Sequence, residues 1–151
     1  CHRGFIETFC TFLSGEMFES LTRHSVLAGS VRRTGWTEAM RDAFEDGVDE
    51  ATRGEALLRS VFRVRAWDRL ALRSPGENYY YLSGLIIGSE LNALAQEPAE
   101  RILVAAAAGL DILYRTAGER LGLGGKTTFL PEGSLETALL RAHGAVAAMD
   151  C

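Results

Sequence analysis

The sequence has few cysteines and prolines, a single lysine and no long apolar run. Its three cysteines, at positions 1, 10 and 151, form no Cys-x-x-Cys pair, and their odd number fits a reducing compartment better than a secreted disulfide framework. The longest apolar run, residues 102–110, has about half of the ~20 residues that a membrane-spanning helix needs. The first residues also lack the apolar core and cleavage site of a secretory signal. We therefore expect a cytoplasmic protein that has no membrane as a partner.

The composition is that of a folded chain with a small acidic excess. Its 151 residues, at roughly 100–200 per domain, make one domain that is large enough for a hydrophobic core. Apolar residues make up 47% and charged residues 24%, which is unlike a disordered segment. The 16 basic and 20 acidic side chains leave a net charge of −4. We therefore expect no nucleic acid as a partner.

The first two thirds of the chain predict one strand followed by helices. Residues 4–13 are rich in aromatic and β-branched side chains, which indicates a strand, and Ser14 stands where the N-cap of a following helix belongs. Apolar residues then recur at helical spacing in three stretches, 36–48, 57–67 and 79–94. Residues 74–76, Ser-Pro-Gly, predict a break before the last of these helices. The charged residues around the first stretch, Glu50 among them, take the other faces and predict an acidic outer side.

The last third of the chain alternates short apolar stretches with helical ones. Residues 101–105 and 126–130 are short runs of the kind that strands show, and 101–105 is continuous as in a buried parallel strand. Helical patterns follow them at 110–121 and 135–146. Because parallel neighbours need a crossover connection, this β-α-β-α order predicts a parallel or mixed sheet covered by helices. We expect a helix-rich, three-layer α/β fold with a short sheet.

The glycine-rich stretch before the second predicted strand is similar to a phosphate-binding loop but lacks its spacing. A Walker loop has a glycine six positions before its lysine, whereas Arg120 stands six positions before Lys126. Such a loop also follows a strand, and residues 122–125 precede one, so we interpret them as a helix stop. The histidines lie far apart and fit no metal-ligand pattern, so no metal site is expected.

Arginines recur along the third predicted helix and beyond it, and this pattern has two interpretations. A basic stripe beside Trp67 could bind phosphates or nucleic acid. Alternatively, the arginines form a solvated face that Glu55 and Asp68 neutralise. The acidic net charge favours the solvated face. The arginines are Arg59, Arg63, Arg65, Arg69 and Arg73.

Small residues mark three further places. Gly84 and Gly88, one turn apart, each cost about 1 kcal/mol relative to Ala in a helix. They therefore predict tight packing on a neighbour or the close approach of a ligand. Residues 14–16, Ser-Gly-Glu, lie at a strand-to-helix junction, where exposed amides favour an anionic or polyhydroxy ligand. Residues 105–109 occupy a second such junction and leave room for a flat group such as a nucleoside.

Four motifs give the chain a resemblance to a known family. They are LSGEMF at 13–18, HSVL at 24–27, FEDGV at 44–48 and YLSGLIIGSEL at 81–91. In this order and spacing they resemble the second half of the 2-dehydro-3-deoxygalactonokinase family over nearly the whole chain. The last motif is specific, whereas each of the others alone is a weak signal.

The resemblance implies an ATP-dependent kinase that phosphorylates the 6-hydroxyl of 2-dehydro-3-deoxy-D-galactonate in galactonate catabolism. It also implies an actin-like, ribonuclease-H-like fold of two lobes, with ATP and Mg²⁺ in the cleft between them. Residues 1–151 would form the C-terminal lobe, and the catalytic base would lie in an N-terminal lobe that this sequence lacks. We therefore expect no kinase activity from the chain alone. Because a lobe without its partner exposes its cleft surface, we also expect self-association.

The junctions and the resemblance together identify candidate site residues. The substrate-cleft candidates are Ser14, Gly15 and Glu16. The ATP-binding candidates are Ala107, Ala108 and Gly109, with Gly84 and Gly88 allowing the long helix to pack behind. Two alternatives stay open. One is a kinase of another sugar acid, and the other is a non-enzymatic α/β interaction module that uses the arginine-rich helix face.

Overall fold

The computed structural model describes residues 11–97, 101–106, 109–131, 133–134, 137–138 and 140–141. The chain divides into two compact units, Cys1–Glu90 and Leu91–Cys151. The helices are α1 (Ser14–Arg23), α2 (Glu38–Thr52), α3 (Leu57–Arg69), α4 (Pro75–Ala95) and α5 (Asp111–Arg120), with a 3-10 helix at Ala28–Ser30. The strands are β1 (Ile102–Val104) and β2 (Thr127–Phe129). Within these described ranges no helix is both long and apolar enough to cross a membrane.

Helix α1 begins without a side-chain cap. Its N-cap is Leu13, whose carbonyl accepts a hydrogen bond from the Met17 N–H at 2.9 Å, and Ser14 is the first helical residue. The prediction of Ser14 as the N-cap is therefore wrong, because the helical hydrogen bonding starts one residue earlier. Most of the predicted strand at 4–13 lies outside the described residues, and residues 11–13 are not in a strand.

Helices α2 and α4 begin at side-chain caps. The Thr37 hydroxyl accepts a hydrogen bond from the Met40 N–H at 3.4 Å. At α4, the Ser74 hydroxyl accepts from the Glu77 N–H at 3.2 Å, and the Glu77 carboxylate accepts from the Ser74 N–H at 2.8 Å. This reciprocal pair is a capping box, and Pro75 follows at the first helical position, where a missing N–H costs nothing. The predicted break before the long helix is confirmed.

Helices α2 and α4 pack backbone against backbone at glycines. A Cβ on Gly84 would collide with the carbonyl oxygen of Phe44, and a Cβ on Gly88 would lie 2.9 Å from the Cα of Val48. From the other side, a Cβ on Gly47 would collide with the backbone of α4. The tight-packing interpretation of Gly84 and Gly88 is therefore confirmed. Their partner Gly47 was not singled out from the sequence.

The helices of the first unit bury a hydrophobic cluster. Apolar residues of α1, including Phe18 and Leu21, pack against it from one side, and Trp67 of α3 packs against it as well. Burying a large apolar side chain contributes about 1.5–3 kcal/mol, so this cluster stabilises the unit. The buried members are Leu27, Val61, Val64, Tyr81, Leu82, Leu85 and Ile86.

The second unit contains a parallel pair of strands joined through a helix. Ile102 lies beside Thr127 and Val104 beside Phe129, and α5 forms the crossover between β1 and β2. The predicted β-α-β order and the predicted parallel sheet are confirmed. Only part of the predicted helix at 135–146 falls on described residues, and those residues are helical.

Helix α5 ends in a glycine-dependent cap. Gly122 has a φ of +70°, in the left-handed region that favours glycine. Its N–H donates to the Glu119 carbonyl at 3.1 Å, and the Leu123 N–H donates to the Gly118 carbonyl at 2.8 Å. These two bonds form a Schellman motif. The predicted helix stop is confirmed, since this stretch ends a helix and leads into β2.

Candidate functional site

The predicted substrate-cleft residues form the first turn of α1. Gly15 and Glu16 are exposed and Ser14 is half-buried. A Cβ on Gly15 would meet no atom within 4 Å, so the backbone there is open to approach. The N–H groups of these three residues precede the first bond of the helix and have no backbone acceptor within the described ranges. They can donate to a ligand oxygen, and the helix dipole adds positive potential.

A groove of about 350 Å³ lies beside the same helix. Helical periodicity puts Gly15 and Glu16 seven positions before Thr22 and Arg23, on the side of α1 that faces this groove. The lining residues are Phe18, Glu19, Thr22 and Arg23 of α1, Val31–Arg33, and Tyr79 of α4. This groove was not predicted from the sequence. The signal that could have revealed it is the stretch 20–37, which contains arginines but no acidic residue.

The wall of the groove opposite α1 is tied to the start of α4. The Arg32 N–H donates to the Pro75 carbonyl at 2.8 Å. Asn78 donates through its side-chain amide to the Ser30 carbonyl at 3.1 Å, and the Tyr80 hydroxyl donates to the Thr34 carbonyl at 2.6 Å. Three long-range hydrogen bonds therefore hold the backbone that carries Arg32 and Arg33.

Charged and aromatic groups meet at the floor of the groove. The rings of Phe18 and Tyr79 contact edge to face, with centroids 5.1 Å apart. Burial raises the pKa of Tyr79 above its ordinary value, although the positive charges of Arg33 and Arg23 oppose that rise. Arg23 also pairs with Glu19 at 2.6 Å. Two guanidinium groups thus act electrostatically on the tyrosine hydroxyl.

Two arginines of α3, Arg59 and Arg63, pair with acidic neighbours. Glu55 lies 2.9 Å from Arg63 and 3.9 Å from Arg59, which confirms its neutralising role. Asp68 instead accepts a hydrogen bond from the Ser30 hydroxyl at 2.9 Å, and no ion pair links it to an arginine in the described part of the chain. The solvated-face interpretation therefore holds for Glu55 and is wrong for Asp68.

A buried carboxylate joins α2 to α3. Glu50 is only 3% exposed, so its predicted place on the acidic outer side is wrong. Its carboxylate accepts hydrogen bonds from Ser60 at 2.7 Å and Arg53 at 3.1 Å, and lies 2.7 Å from the guanidinium of Arg63. Burial raises the pKa of Glu50, but the bonds from Ser60 and Arg63, the charge of Arg63 and the bond from Arg53 lower it below its ordinary value. The group is therefore ionised and structural.

The predicted ATP-binding residues fall in both units. Gly84 and Gly88 belong to the first unit, where α2 packs directly against them. They can therefore influence a ligand site only through the packing of α4. Gly109 belongs to the second unit, is exposed and has a φ of +82°, two residues before α5. Ala107 and Ala108 lie outside the described residues. The assignment of these residues to ATP stays a prediction.

Metal-ligating side chains do not gather in the described residues. No group of three or more His, Cys, Asp or Glu side chains there could hold a metal ion. The turn of α1 presents N–H donors and the groove beside it presents guanidinium groups, and both suit oxyanions and hydroxyls.

Comparison with known proteins identifies the family. The family model described as 2-keto-3-deoxy-galactonokinase matches residues 1–139, most of the chain. The chain belongs to this family. It is 35% identical over 121 residues to a Rhizobium meliloti (strain 1021) protein named "Probable 2-dehydro-3-deoxygalactonokinase DgoK1", and 28% identical over 119 residues to the 2-dehydro-3-deoxygalactonokinase of Escherichia coli (strain K12).

A solved structure supports the family assignment. The chain matches a crystal structure from Sinorhizobium meliloti, whose description names 2-dehydro-3-deoxygalactonokinase, with a TM-score of 0.71 and 31% identity. The match covers 82% of this chain and 42% of that one. The two curated relatives are matched over 78% of this chain and 40% of their own length. The chain therefore spans less than half of the family members it matches.

Proposed function

We propose that the chain is the C-terminal lobe of an ATP-dependent sugar-acid kinase with an actin-like, ribonuclease-H-like, three-layer fold. The observation that carries this is the family match over residues 1–139, supported by the likeness to the crystal structure. The whole kinase transfers the terminal phosphoryl group of ATP to the 6-hydroxyl of 2-dehydro-3-deoxy-D-galactonate. We place this reaction in the galactonate catabolism of the cytoplasm.

The first turn of α1 is our candidate for binding the sugar acid. Phosphoryl transfer depends on positioning and charge stabilisation, with little covalent chemistry for the protein to perform. The N–H groups of Ser14, Gly15 and Glu16, which have no backbone acceptor in the described part of the chain, would donate to substrate oxygens, and the Glu16 carboxylate would accept from substrate hydroxyls. These contacts would hold the acceptor in place without activating it.

The segment after β1 is our candidate for binding adenosine. Ala107, Ala108 and Gly109 follow the carboxyl end of β1, which is the edge where parallel α/β sheets bind ligands. The positive φ of Gly109 supports a tight turn at this place. Mg²⁺ would accompany the phosphates of ATP, and because no acidic cluster among the described residues suits it, we assign it no residue of this chain.

A coupled assay of ADP release tests the proposal. The catalytic base is assigned to the N-terminal lobe, so the 151-residue chain alone should show no phosphorylation of the sugar acid. A protein that joins the chain to the coding sequence upstream of Cys1 should phosphorylate 2-dehydro-3-deoxy-D-galactonate with ATP. Turnover by the chain alone would contradict the division into lobes. Absence of turnover by the longer protein with any 2-oxo-3-deoxy sugar acid would contradict the kinase assignment.

The same assay separates the alternatives. If the longer protein prefers a different sugar acid, the kinase function stands and the substrate assignment is wrong. The interaction-module alternative has weaker support, because Glu50 and Glu55 hold Arg63 in the middle of the arginine-rich face. Salt-dependent binding of nucleic acid, lost in Arg63→Gln and Arg69→Gln, would favour that module instead.

A further inference from the structure

The groove along α1 gathers positive charge in a chain that is acidic overall. Arg23, Arg32 and Arg33 line it, and Glu19, the one acidic residue among the described residues of its lining, is paired with Arg23 at 2.6 Å. No hydrogen bond or ion pair ties the guanidinium groups of Arg32 and Arg33 to any side chain in the described ranges. Two cations are thus available in the groove to an anion that comes from outside the chain.

The positions of these two arginines are fixed before any ligand arrives. The backbone from Ser30 to Thr34 is hydrogen-bonded to α4 at Pro75, Asn78 and Tyr80. An anion that binds there has to order only the two side chains, not the segment that carries them. Preorganisation of this kind lowers the entropic cost of binding.

The other groups of the groove suit a small polyhydroxylated molecule. The groove volume of about 350 Å³ falls at the small end of the range for ligand sites. Tyr79 offers a half-buried hydroxyl beside the ring of Phe18. Guanidinium groups bind carboxylates through paired, nearly parallel hydrogen bonds.

We propose that Arg32 and Arg33 bind the carboxylate of the sugar acid in this groove, beside the first turn of α1. The chemistry is that of an oxyanion site, which carboxylate and phosphate share, and the titration below separates the two anions. This inference rests on the proposed kinase function, because that function supplies a sugar acid as the ligand. Arg32 and Arg33 are then specificity determinants that separate sugar acids from neutral sugars.

Calorimetric titration of the 151-residue chain tests the groove with three probes. They are 2-dehydro-3-deoxy-D-galactonate, D-galactose, which lacks the carboxylate, and inorganic phosphate. The sugar acid should bind at least about tenfold more tightly than either of the others. Arg32→Gln and Arg33→Gln should each weaken its binding about tenfold, because each removes one charged partner of the carboxylate. Arg59→Gln removes an exposed arginine of α3 outside the groove and should leave binding unchanged.

Three results of this titration would contradict the groove assignment. They are galactose binding as tightly as the sugar acid, phosphate binding as tightly as the sugar acid, and an unchanged affinity for the sugar acid in both groove variants. Both arginines are exposed, so their variants should melt like the wild type and report binding alone. If the longer protein is active and neither substitution changes its KM for the sugar acid, the groove assignment is wrong and the proposed kinase function stands. If the sugar acid binds in an arginine-dependent way but the longer protein has no kinase activity, the groove assignment stands and the proposed kinase function is wrong.

Discussion

At the scale of the residue, Glu50 shows how a buried charge is kept. Its carboxylate is 3% exposed and would be costly to bury without partners. Ser60, Arg53 and Arg63 supply three of them, from α3 and from the end of α2. Because Arg63 is also a third exposed, the cluster keeps one side in water. The stabilising contribution therefore depends on the ionised form of a single side chain.

Glu50→Gln should lower the free energy of unfolding at pH 7 by about 1–3 kcal/mol, because it leaves Arg63 without its buried partner. The folded pKa of Glu50 lies below the ordinary value of 4.5, so its contribution is complete above that pH and is lost as the pH falls through the folded pKa. Urea unfolding at several pH values should show a shallower acid loss in the variant. Glu55→Gln removes the more exposed partner of the same arginine and should cost less. Identical acid slopes in wild type and Glu50→Gln would contradict this account.

At the scale of the element, the crossing of α2 and α4 depends on the absence of side chains. Gly84→Ala would drive a Cβ into the Phe44 carbonyl, and neither backbone can yield without separating the helices. The variant should lose roughly 3 kcal/mol or more of stability in urea unfolding. Gly15→Ala, in open space on α1, should change stability by less than about 1 kcal/mol and in the favourable direction. Equal effects of the two substitutions would show that the crossing is not close-packed.

The end of α3 has the cap geometry of α5 with an alanine in place of glycine. Ala71 has a φ of +52°, the Leu72 N–H donates to the Trp67 carbonyl at 2.9 Å, and the Ala71 N–H donates to the Asp68 carbonyl at 3.2 Å. A left-handed alanine costs roughly 1 kcal/mol relative to glycine. This strain lies at the junction between two core helices.

Ala71→Gly should therefore raise the melting temperature by a few degrees, through a gain of about 0.5–1 kcal/mol. Gly122→Ala makes the opposite exchange in the equivalent cap of α5 and should lose a similar amount. Differential scanning calorimetry of both variants measures the two effects. A lower melting temperature for Ala71→Gly would show that the alanine side chain contributes packing that outweighs its strain.

At the scale of the whole molecule, local patterns predicted the elements well and the site less well. Helical spacing and the break at residues 74–76 predicted α2, α3 and α4, because those signals lie within a few residues of one another. The arginines of the groove were missed, since Arg32 acquires its position from hydrogen bonds to residues more than forty positions away. Glu50 was misplaced for a related reason. A carboxylate is buried only when distant partners such as Arg63 reach it.

The exposed apolar side chains of α3 lead to a prediction for the molecule in solution. Leu58 and Phe62, one helical turn apart, are 78% and 57% exposed. Burying the two side chains against a second copy of the chain would gain about 1.5–3 kcal/mol each, so the chain should associate as its concentration rises.

Sedimentation velocity should detect this association. The double variant Leu58→Gln/Phe62→Gln should weaken it at least about tenfold without lowering the melting temperature. Val26→Gln, which removes an exposed apolar residue that is not part of α3, should leave association unchanged. A wild-type chain that stays monomeric at every concentration, or association that survives the double substitution, would contradict the role of this face.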